Sequence, residues 1–186
     1  KMPEPETLLE YILREVAYEK DLKGKKILVT AGPTQEPIDP VRYLTNHSSG
    51  KMGYAIAKVC SMRGADVTLV SGKTAIKPPL FVDVVPVTTA RDMYEAVTSR
   101  FDQQDIVIKA AAVADYRPKT ISDQKVKKAD GELSIEMERT DDILKYLGEH
   151  RRDGQFLCGF SMETQNVIGN SRAKLIKKNL DMVAAN

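Results

Sequence analysis

The stretch Thr30-Ala-Gly-Pro-Thr-Gln-Glu36, followed by Asn46-His-Ser-Ser-Gly-Lys-Met-Gly53, decides how this chain is expected to fold. The apolar segment 26–30 predicts a strand that ends in a turn of small residues. A Ser/Gly-rich segment then opens a helix whose apolar positions are Ala55, Ile56, Val59 and Cys60. Unpaired backbone N–H groups at a helix start, together with the helix dipole, favour a bound phosphate or carboxylate. This order of elements predicts a nucleotide-binding fold.

Five residues around this turn are candidates for contact with a phosphate: Gly32, Ser48, Ser49, Gly50 and Lys51. The dinucleotide fingerprint G-x-G-x-x-G does not fit, because Gly32 is followed by Pro33 and Thr34. The P-loop pattern also fails, because Met52 replaces the magnesium-binding hydroxyl and Thr45 replaces the first glycine. A helix cap built from Ser48 or Ser49 would explain the serines equally well.

Composition excludes several classes of protein. The 186 residues suit one domain, and 29% charged with 42% hydrophobic residues indicate a globular chain. A net charge of +2 argues against a nucleic-acid partner, and no apolar run approaches the roughly 20 residues of a membrane span. We therefore expect a cytoplasmic protein. Cys60 and Cys158 are expected to be buried thiols, and the two histidines, His47 and His150, leave little scope for zinc.

Strand and helix patterns alternate along the chain. Strands are predicted at 26–30, 66–70, 82–87, 105–110, 155–160 and 181–185, and helices at 49–63, 90–101, 141–150 and 166–178. A further helix at 7–20 carries an apolar stripe of Leu8, Leu9, Ile12, Leu13 and Val16. The alternation predicts an α/β fold with a doubly wound, mostly parallel sheet and helices on both faces, a Rossmann-like three-layer sandwich. Such sheets bind ligands beyond the carboxyl ends of their strands.

Three more groups of residues lie where a ligand could bind. The small alanine side chains of the 105–117 segment would let a flat base approach the backbone, although tight packing of a strand against a helix would explain them too. Asp115 could accept hydrogen bonds from ribose hydroxyls or help to hold a cation. The run Lys125-Val-Lys-Lys128 could close over phosphates or simply be solvated. Lys174 and Lys178 share one helix face and could reach an anion, or could interact with the helix C-terminus.

Taken together, these motifs resemble the phosphopantothenoylcysteine synthetases of coenzyme A biosynthesis, usually the C-terminal half of a bifunctional bacterial synthetase/decarboxylase. The matching stretches run in the same order from about residue 25 onward. They are Ala31-Gly-Pro-Thr34, Asp39-Pro-Val-Arg42, Asn46-His-Ser-Ser-Gly-Lys-Met-Gly53, Ala111-Ala-Val-Ala-Asp-Tyr116, Lys125-Val-Lys-Lys128, Gly159-Phe160 with Glu163-Thr164, and Lys178-Asn-Leu-Asp181.

The resemblance implies a reaction, substrates and an assembly. CTP, with Mg²⁺, would activate the carboxylate of 4′-phosphopantothenate as an acyl-cytidylate and release pyrophosphate. The amine of L-cysteine would then form the amide and release CMP. The family is dimeric, with the phosphopantothenate site near the subunit contact. The resemblance also implies that residues 1–22 are a linker and an amphipathic helix from the joint with a flavin-dependent decarboxylase domain, which is absent here. Residues 23–186 would be the synthetase domain without its C-terminal part, and no flavin is expected in this half.

The resemblance also assigns site residues by position. Asn46 and Lys125 match the catalytic residues, with Asn46 acting on the acyl-cytidylate and Lys125 on the α-phosphate. The matched nucleotide contacts are Lys109, Ala110, Ala111, Asp115, Lys125, Asp141, Asp142, Ile143, Leu144, Phe160, Lys174 and Lys178. Phe160 would offer a face for the pyrimidine. The Asp142 carboxylate fits either a cation or the nucleotide, while Mg²⁺ would bind mainly through the triphosphate.

Two other interpretations compete with this one. A nicotinamide-dependent reductase of the short-chain type would share the alternating pattern, but the chain lacks the glycine fingerprint and a clear Tyr-x-x-x-Lys helix. A non-catalytic nucleotide-binding module would bind CTP without turnover.

Overall fold

A computed structural model describes residues 2–128 and 133–185. The helices are α1 (Pro5–Val16), α2 (Lys51–Met62), α3 (Ala90–Thr98), α4 (Ile143–His150) and α5 (Val167–Lys177), with a short 3₁₀ turn at Phe101–Gln103. The strands are β1 (Lys26–Ala31), β2 (Gln35–Asp39), β3 (Arg42–Thr45), β4 (Asp66–Ser71), β5 (Asp83–Pro86), β6 (Ile106–Lys109), β7 (Tyr116–Pro118), β8 (Met137–Arg139), β9 (Phe156–Ser161) and β10 (Met182–Ala185).

One parallel sheet organises the chain. Its strands lie in the order β5-β4-β1-β6-β9-β10, and every neighbouring pair is parallel. Counted along the chain, these six strands have the order 3-2-1-4-5-6 of a doubly wound sheet, which reverses between β1 and β6. All six strands predicted from the sequence are confirmed, and so is the fold class.

Helices cover both faces of this sheet because successive strand residues point to opposite sides. On one face Ile27 and Val29 pack with Tyr54 and Ala57 of α2. On the other face Leu28, Val107 and Leu157 pack with Met93 of α3 and Leu147 of α4. Burial on both sides explains why β1 reads as a continuous apolar run rather than an alternating one.

The start of α2 differs from the prediction. The helix begins at Lys51 rather than residue 49, and its N-cap is Gly50 in the left-handed conformation (φ 77°), without a side-chain cap. A cap from Ser48 or Ser49 is therefore wrong: their hydroxyls accept long 3.4 Å hydrogen bonds from Gly50 and Lys51 N–H.

The buried side of α2 is also turned relative to the predicted one. It consists of Gly53, Tyr54, Ala57, Cys60, Ser61 and Met62. Ala55 and Val59, which were expected to be apolar contacts, are exposed. The reason is the close approach of the helix to β1, which puts Gly53 rather than a larger residue against the strand.

The other helix bounds need smaller corrections. α3 ends at Thr98, with the 3₁₀ turn completing the predicted span, and α4 begins at Ile143 because Asp142 is its N-cap. α1 forms but ends at Val16, and none of its residues is buried. Its predicted stripe is largely exposed, because α1 is held instead through the Glu10–Lys58 ion pair and through Tyr11, which contacts Phe81.

Two antiparallel hairpins, β2–β3 and β7–β8, were missed by the sequence analysis. Both are short, polar and contain a proline (Pro37 and Pro118), so they lack the apolar signal that marked the parallel strands. The first hairpin docks on the main sheet where Gln35 N–H donates to Thr88 O at 2.8 Å. The hairpins lie on the side of the sheet where β1 and β6 end.

The two cysteines, Cys60 and Cys158, are buried and unbridged, as predicted. Burial raises the pKa of both thiols. Among the described residues, every helix is too short or too polar to span a bilayer.

Gly53 offers a test of the contact between α2 and β1. A Cβ there would lie 2.6 Å from Ala31 Cβ and 2.8 Å from Thr30 O, so one of the two elements must move. We expect Gly53→Ala to lower the free energy of unfolding by about 1–3 kcal/mol, although alanine gains about 1 kcal/mol in helix propensity.

Urea unfolding would measure this change, with Met52→Ala on the exposed side of the same helix as the matched control. A Gly53→Ala protein as stable as the wild type would contradict the close contact.

Candidate functional site

A cleft of 710 Å³ opens beside the carboxyl end of β6. It is built from the last residue of β6, the loop that follows, the turn between β8 and α4, and the end of α5. Its lining residues are Lys109, Val113, Ala114, Asp115, Tyr116, Arg139, Thr140, Asp141, Asp142, Ile143, Leu144, Lys145, Lys174, Lys177 and Lys178. The cleft is therefore at the sheet edge where doubly wound folds bind ligands.

Eight of the residues predicted to bind a nucleotide line this one cleft. They are Lys109, Asp115, Asp141, Asp142, Ile143, Leu144, Lys174 and Lys178. Sequence reasoning missed Tyr116 and Arg139, which belong to the overlooked hairpin β7–β8, as well as Lys177. Lys177 could have been predicted from the sequence, because it directly precedes Lys178 in the last turn of the predicted helix.

The cleft is strongly basic. Six lysine and arginine side chains line it against three aspartates. Burial and then the nearby charge of Lys174 lower the pKa of Lys109 to about 8, although Asp142 and Asp115 partly oppose this shift. A lysine whose charge is disfavoured in this way gains most from a bound anion.

Asp142 organises one wall of the cleft. One carboxylate oxygen accepts the Lys145 N–H at 2.9 Å and so caps α4, while the other accepts Lys178 Nζ. Partial burial alone would raise the pKa of Asp142, but the hydrogen bonds from Lys178 and Lys145 outweigh it and the pKa is lowered. The ammonium group of Lys178 therefore pairs with a carboxylate and does not interact with the helix C-terminus, which was the structural alternative to binding an anion.

Lys174 makes a second link across the cleft. Its Nζ donates to the backbone carbonyl of Phe160 at 2.6 Å, which joins the end of α5 to β9. The predicted residues Phe160, Ala110 and Ala111 are near this edge of the sheet but do not line the cleft among the described residues.

The alanine loop after β6 is tied to the end of β1. The buried hydroxyls of Thr30 and Thr34 accept the N–H groups of Ala111 (3.1 Å) and Ala114 (3.0 Å). Ala112 N–H donates to Gly32 O at 3.0 Å. Neither threonine was singled out from the sequence, although threonine at the end of a buried strand is a usual source of such bonds.

Asn46 contacts the same loop. It follows β3 directly, is exposed, and its Nδ2 donates to Ala112 O at 3.3 Å. The predicted catalytic amide is thus next to the loop that forms the cleft.

The predicted phosphate loop is separate from this cleft. Gly32 and Gly50, both at positive φ, pack together, since a Cβ on Gly50 would lie 3.2 Å from the Cα of Gly32. Lys51 instead lines a second cavity of 230 Å³ with Lys58 and Lys77. The structure therefore does not bring Ser48, Ser49 or Lys51 to the walls of the main cleft.

Lys125 lies in the loop between β7 and β8, and its side chain is exposed. The next residue, Val126, donates its N–H to the buried carboxylate of Asp39 at 3.1 Å. The loop backbone is therefore attached to hairpin β2–β3, while the side chains of Lys125, Lys127 and Lys128 are exposed to solvent.

Carboxylates that could hold a metal ion are few. Within residues 2–128 and 133–185, no group of three or more histidine, cysteine, aspartate or glutamate side chains is arranged for metal binding. Both oxygens of Asp142 already accept hydrogen bonds. The cleft therefore suits a metal ion that is bound partly by an anionic ligand better than a metal ion bound by protein side chains alone.

The relatives of this chain include bifunctional proteins of coenzyme A biosynthesis and a decarboxylase. It is 48% identical to the Coenzyme A biosynthesis bifunctional protein CoaBC of Bacillus subtilis (strain 168), over 100% of this chain and 46% of that protein. It is 42% identical to a Cysteine/Cysteine sulfinic acid decarboxylase of an unknown prokaryotic organism, over 100% of this chain and 53% of that protein. The chain thus spans about half the length of the curated relatives it matches.

Solved structures agree with this relationship. The crystal structure of the C-terminal domain of Coenzyme A biosynthesis bifunctional protein CoaBC shares 55% sequence identity with a TM-score of 0.79. The match covers 89% of this chain and 78% of that one. The family described as DNA/pantothenate metabolism flavoprotein C-terminal domain matches residues 22–186. The chain therefore belongs to the DNA/pantothenate metabolism flavoprotein C-terminal domain family.

Proposed function

We propose that this chain is a phosphopantothenate–cysteine ligase domain that joins 4′-phosphopantothenate to L-cysteine through an acyl-cytidylate made from CTP. The observation that carries the proposal is the basic cleft at the end of β6, which gathers eight of the residues that the resemblance predicts to bind a nucleotide. The bifunctional CoaBC relative, 48% identical, supports the same pathway.

In the first step a carboxylate oxygen of 4′-phosphopantothenate attacks the α-phosphorus of CTP. The bond to the β-phosphate oxygen breaks, and pyrophosphate leaves. Lys109, Lys174 and Lys178, which line the cleft, supply positive charge around the triphosphate. Lys125 does not line the cleft; its exposed side chain reaches in and neutralises charge that builds on the α-phosphate. Asp115 is placed to accept hydrogen bonds from the ribose.

In the second step the cysteine amine attacks the acyl carbon, loses a proton, and CMP leaves. Asn46 holds the acyl carbonyl during this attack. Its Nδ2 already donates one hydrogen bond to Ala112 O, which orients the amide, and the second N–H of that group can donate to the substrate. The contribution of Asn46 is positioning and charge stabilisation rather than proton transfer.

Magnesium fits this site as a companion of the nucleotide. When bound to the triphosphate, Mg²⁺ supplies charge neutralisation at the phosphate oxygens. Of the three aspartates that line the cleft, we expect Asp115 and Asp141 to help hold it, since Asp142 already accepts hydrogen bonds from Lys145 and Lys178.

We also propose a cytoplasmic homodimer that is fused, in the natural protein, to a flavin-dependent decarboxylase domain. The exposed apolar residues Val41, Tyr43 and Leu44 of hairpin β2–β3 support a subunit contact there. The two buried, unbridged cysteines suit a reducing compartment. The length of the bifunctional relative supports the fusion.

The first test, on a chain extended past Asn186, is pyrophosphate release from CTP and 4′-phosphopantothenate, with and without L-cysteine, with ATP as the parallel nucleotide. We expect release that requires 4′-phosphopantothenate, prefers CTP, and continues through many turnovers only when cysteine is present. Light scattering on the same sample would establish that the tested protein is a folded dimer.

Alternative functions predict different results. A binding module would bind CTP without releasing pyrophosphate, and a reductase would bind NADPH instead. Silence with both nucleotides from a folded dimer would reject the ligase. The family to which the chain belongs does not favour the reductase, and the turn after β1 lacks its glycine fingerprint.

Asn46→Asp separates the two steps. The variant has the same shape, but it replaces the amide donor by a carboxylate. We expect pyrophosphate release in a single turnover to persist while amide formation slows by about 10²-fold or more, the usual cost of one lost donor to a developing oxyanion. Mass spectrometry of quenched samples should show the acyl-cytidylate accumulating.

Gln103→Glu, an equivalent amide-to-acid change on the exposed 3₁₀ turn, is the matched control. Amide formation by Asn46→Asp at the wild-type rate would show that the role assigned to Asn46 is wrong.

The lowered pKa of Lys109 predicts that nucleotide binding depends on pH. Its pKa of about 8 means that about half of the side chains are neutral at pH 8, and a bound triphosphate raises the pKa. Binding at pH 8 should therefore take up about half a proton, whereas this group takes up none at pH 6.5 because it is already charged.

Calorimetry in buffers of different ionisation enthalpy would measure this uptake at pH 8. Lys109→Met should abolish it, and an unchanged uptake in that variant would contradict the assignment.

A further inference from the structure

Asp39, at the end of β2, is a buried carboxylate with an unusually complete set of hydrogen bonds. Its side chain is 0% exposed. One oxygen accepts the N–H groups of Val41 and Arg42, both at 2.9 Å. The other accepts the Arg42 guanidinium, with Nε at 3.0 Å, and the N–H of Val126. The Arg42 guanidinium and these amides hold the pKa of Asp39 well below its usual range.

The bond to Val126 connects two distant parts of the chain. It spans 87 positions, and the Arg42 Nη2 donates to the carbonyl of the same Val126 at 2.7 Å. Both backbone polar groups of Val126 are thus held by one ion pair. A second anchor nearby joins Ser122 N–H to Ile38 O at 3.0 Å.

The Asp39–Arg42 pair therefore helps to position both Lys125 and Asn46. Val126 directly follows Lys125, and Arg42 starts the strand that delivers Asn46. The Lys125 side chain is exposed and has a flexible stem, so fixing its backbone is the most direct way to restrict its ammonium. A misplacement of about 1 Å in such a group can cost about 10²-fold in rate.

We propose that Asp39 is a positioning residue that holds the Lys125 loop against hairpin β2–β3 in the geometry that acyl-cytidylate formation needs. The kinetic part of this inference rests on the proposed ligase function, whereas its structural part does not. Asp39 touches no substrate; it acts through the backbone of Val126.

Two substitutions test the contact from its two ends. Asp39→Asn turns one acceptor oxygen into a donor that faces other donors. Val126→Pro removes the N–H that donates to Asp39 but leaves the Asp39–Arg42 ion pair in place. This second variant therefore still tests the attachment of the loop if Asp39→Asn does not fold. Val126→Ala keeps the N–H, and Glu136→Gln breaks the exposed Lys119–Glu136 pair at the other end of the same loop. Both serve as controls.

The first measurement is limited trypsin cleavage of the native protein after Lys127 and Lys128. Asp39→Asn and Val126→Pro should be cut at these sites about tenfold faster than wild type, as expected when a fixed loop opens locally. The two controls should be cut at the wild-type rate. Unchanged cleavage in both test variants would overturn the proposal.

The second measurement is the kinetics of pyrophosphate release. Both test variants should lose about 10²-fold in kcat, while KM for 4′-phosphopantothenate stays within about twofold. Faster cleavage with normal kcat, or an equal loss in Val126→Ala or Glu136→Gln, would overturn the positioning role. If wild type itself releases no pyrophosphate, the ligase proposal fails, and the cleavage comparison alone then decides whether Asp39 holds the loop.

Discussion

The contact between the ends of β1 and β6 is the constraint on which the rest of the site depends. These two strands lie side by side where the winding of the sheet reverses, so the chain leaves them in opposite directions and opens a crevice. The hydroxyls of Thr30 and Thr34 hold the backbone of the alanine loop across that crevice. Without these bonds, the amides of Ala111 and Ala114 would be left without a partner near the core, at a cost of about 1–3 kcal/mol each. Asn46 donates to the same loop, so this structural contact also sets the position of the amide to which we assign a role in the proposed reaction.

The main sheet could be predicted from sequence because it depends on strong local signals. Segments 26–30 and 105–110 contain the continuous apolar runs 27–29 and 106–108, and runs of that kind form strands when both sides are covered by helices. The bounds of α2 and its buried side could not be predicted in the same way. They depend on Gly53 approaching β1, a tertiary contact that no helical count of apolar residues contains.

The site was predicted unevenly for a related reason. Lys109, Asp115 and Lys178 lie at ends of regular elements, where the topology of a parallel sheet brings side chains together. Tyr116, Arg139 and Asp39 belong to hairpins whose strands are three to five residues long and polar, so alternation of apolar residues cannot reveal them. The phosphate loop stays a prediction that the geometry of the main cleft does not support. Its serines and glycines suggested a ligand, whereas Gly32 and Gly50 serve close packing of two turns, and Lys51 faces another cavity.

The cations of the cleft are held before any ligand binds. Lys178 donates to Asp142, and Lys174 donates to the carbonyl of Phe160. In the proposed reaction a triphosphate would compete with these partners, so each lysine would contribute less to affinity than an isolated charge. In return, their positions are fixed before the reaction, and charge that develops on the phosphates meets dipoles that need little reorganisation. Lys109 differs from these two lysines, because burial and then the nearby charge of Lys174 lower its pKa to about 8. In the proposed reaction a bound triphosphate would raise the pKa of Lys109 again, whereas Lys174 and Lys178 would mainly define where the nucleotide lies.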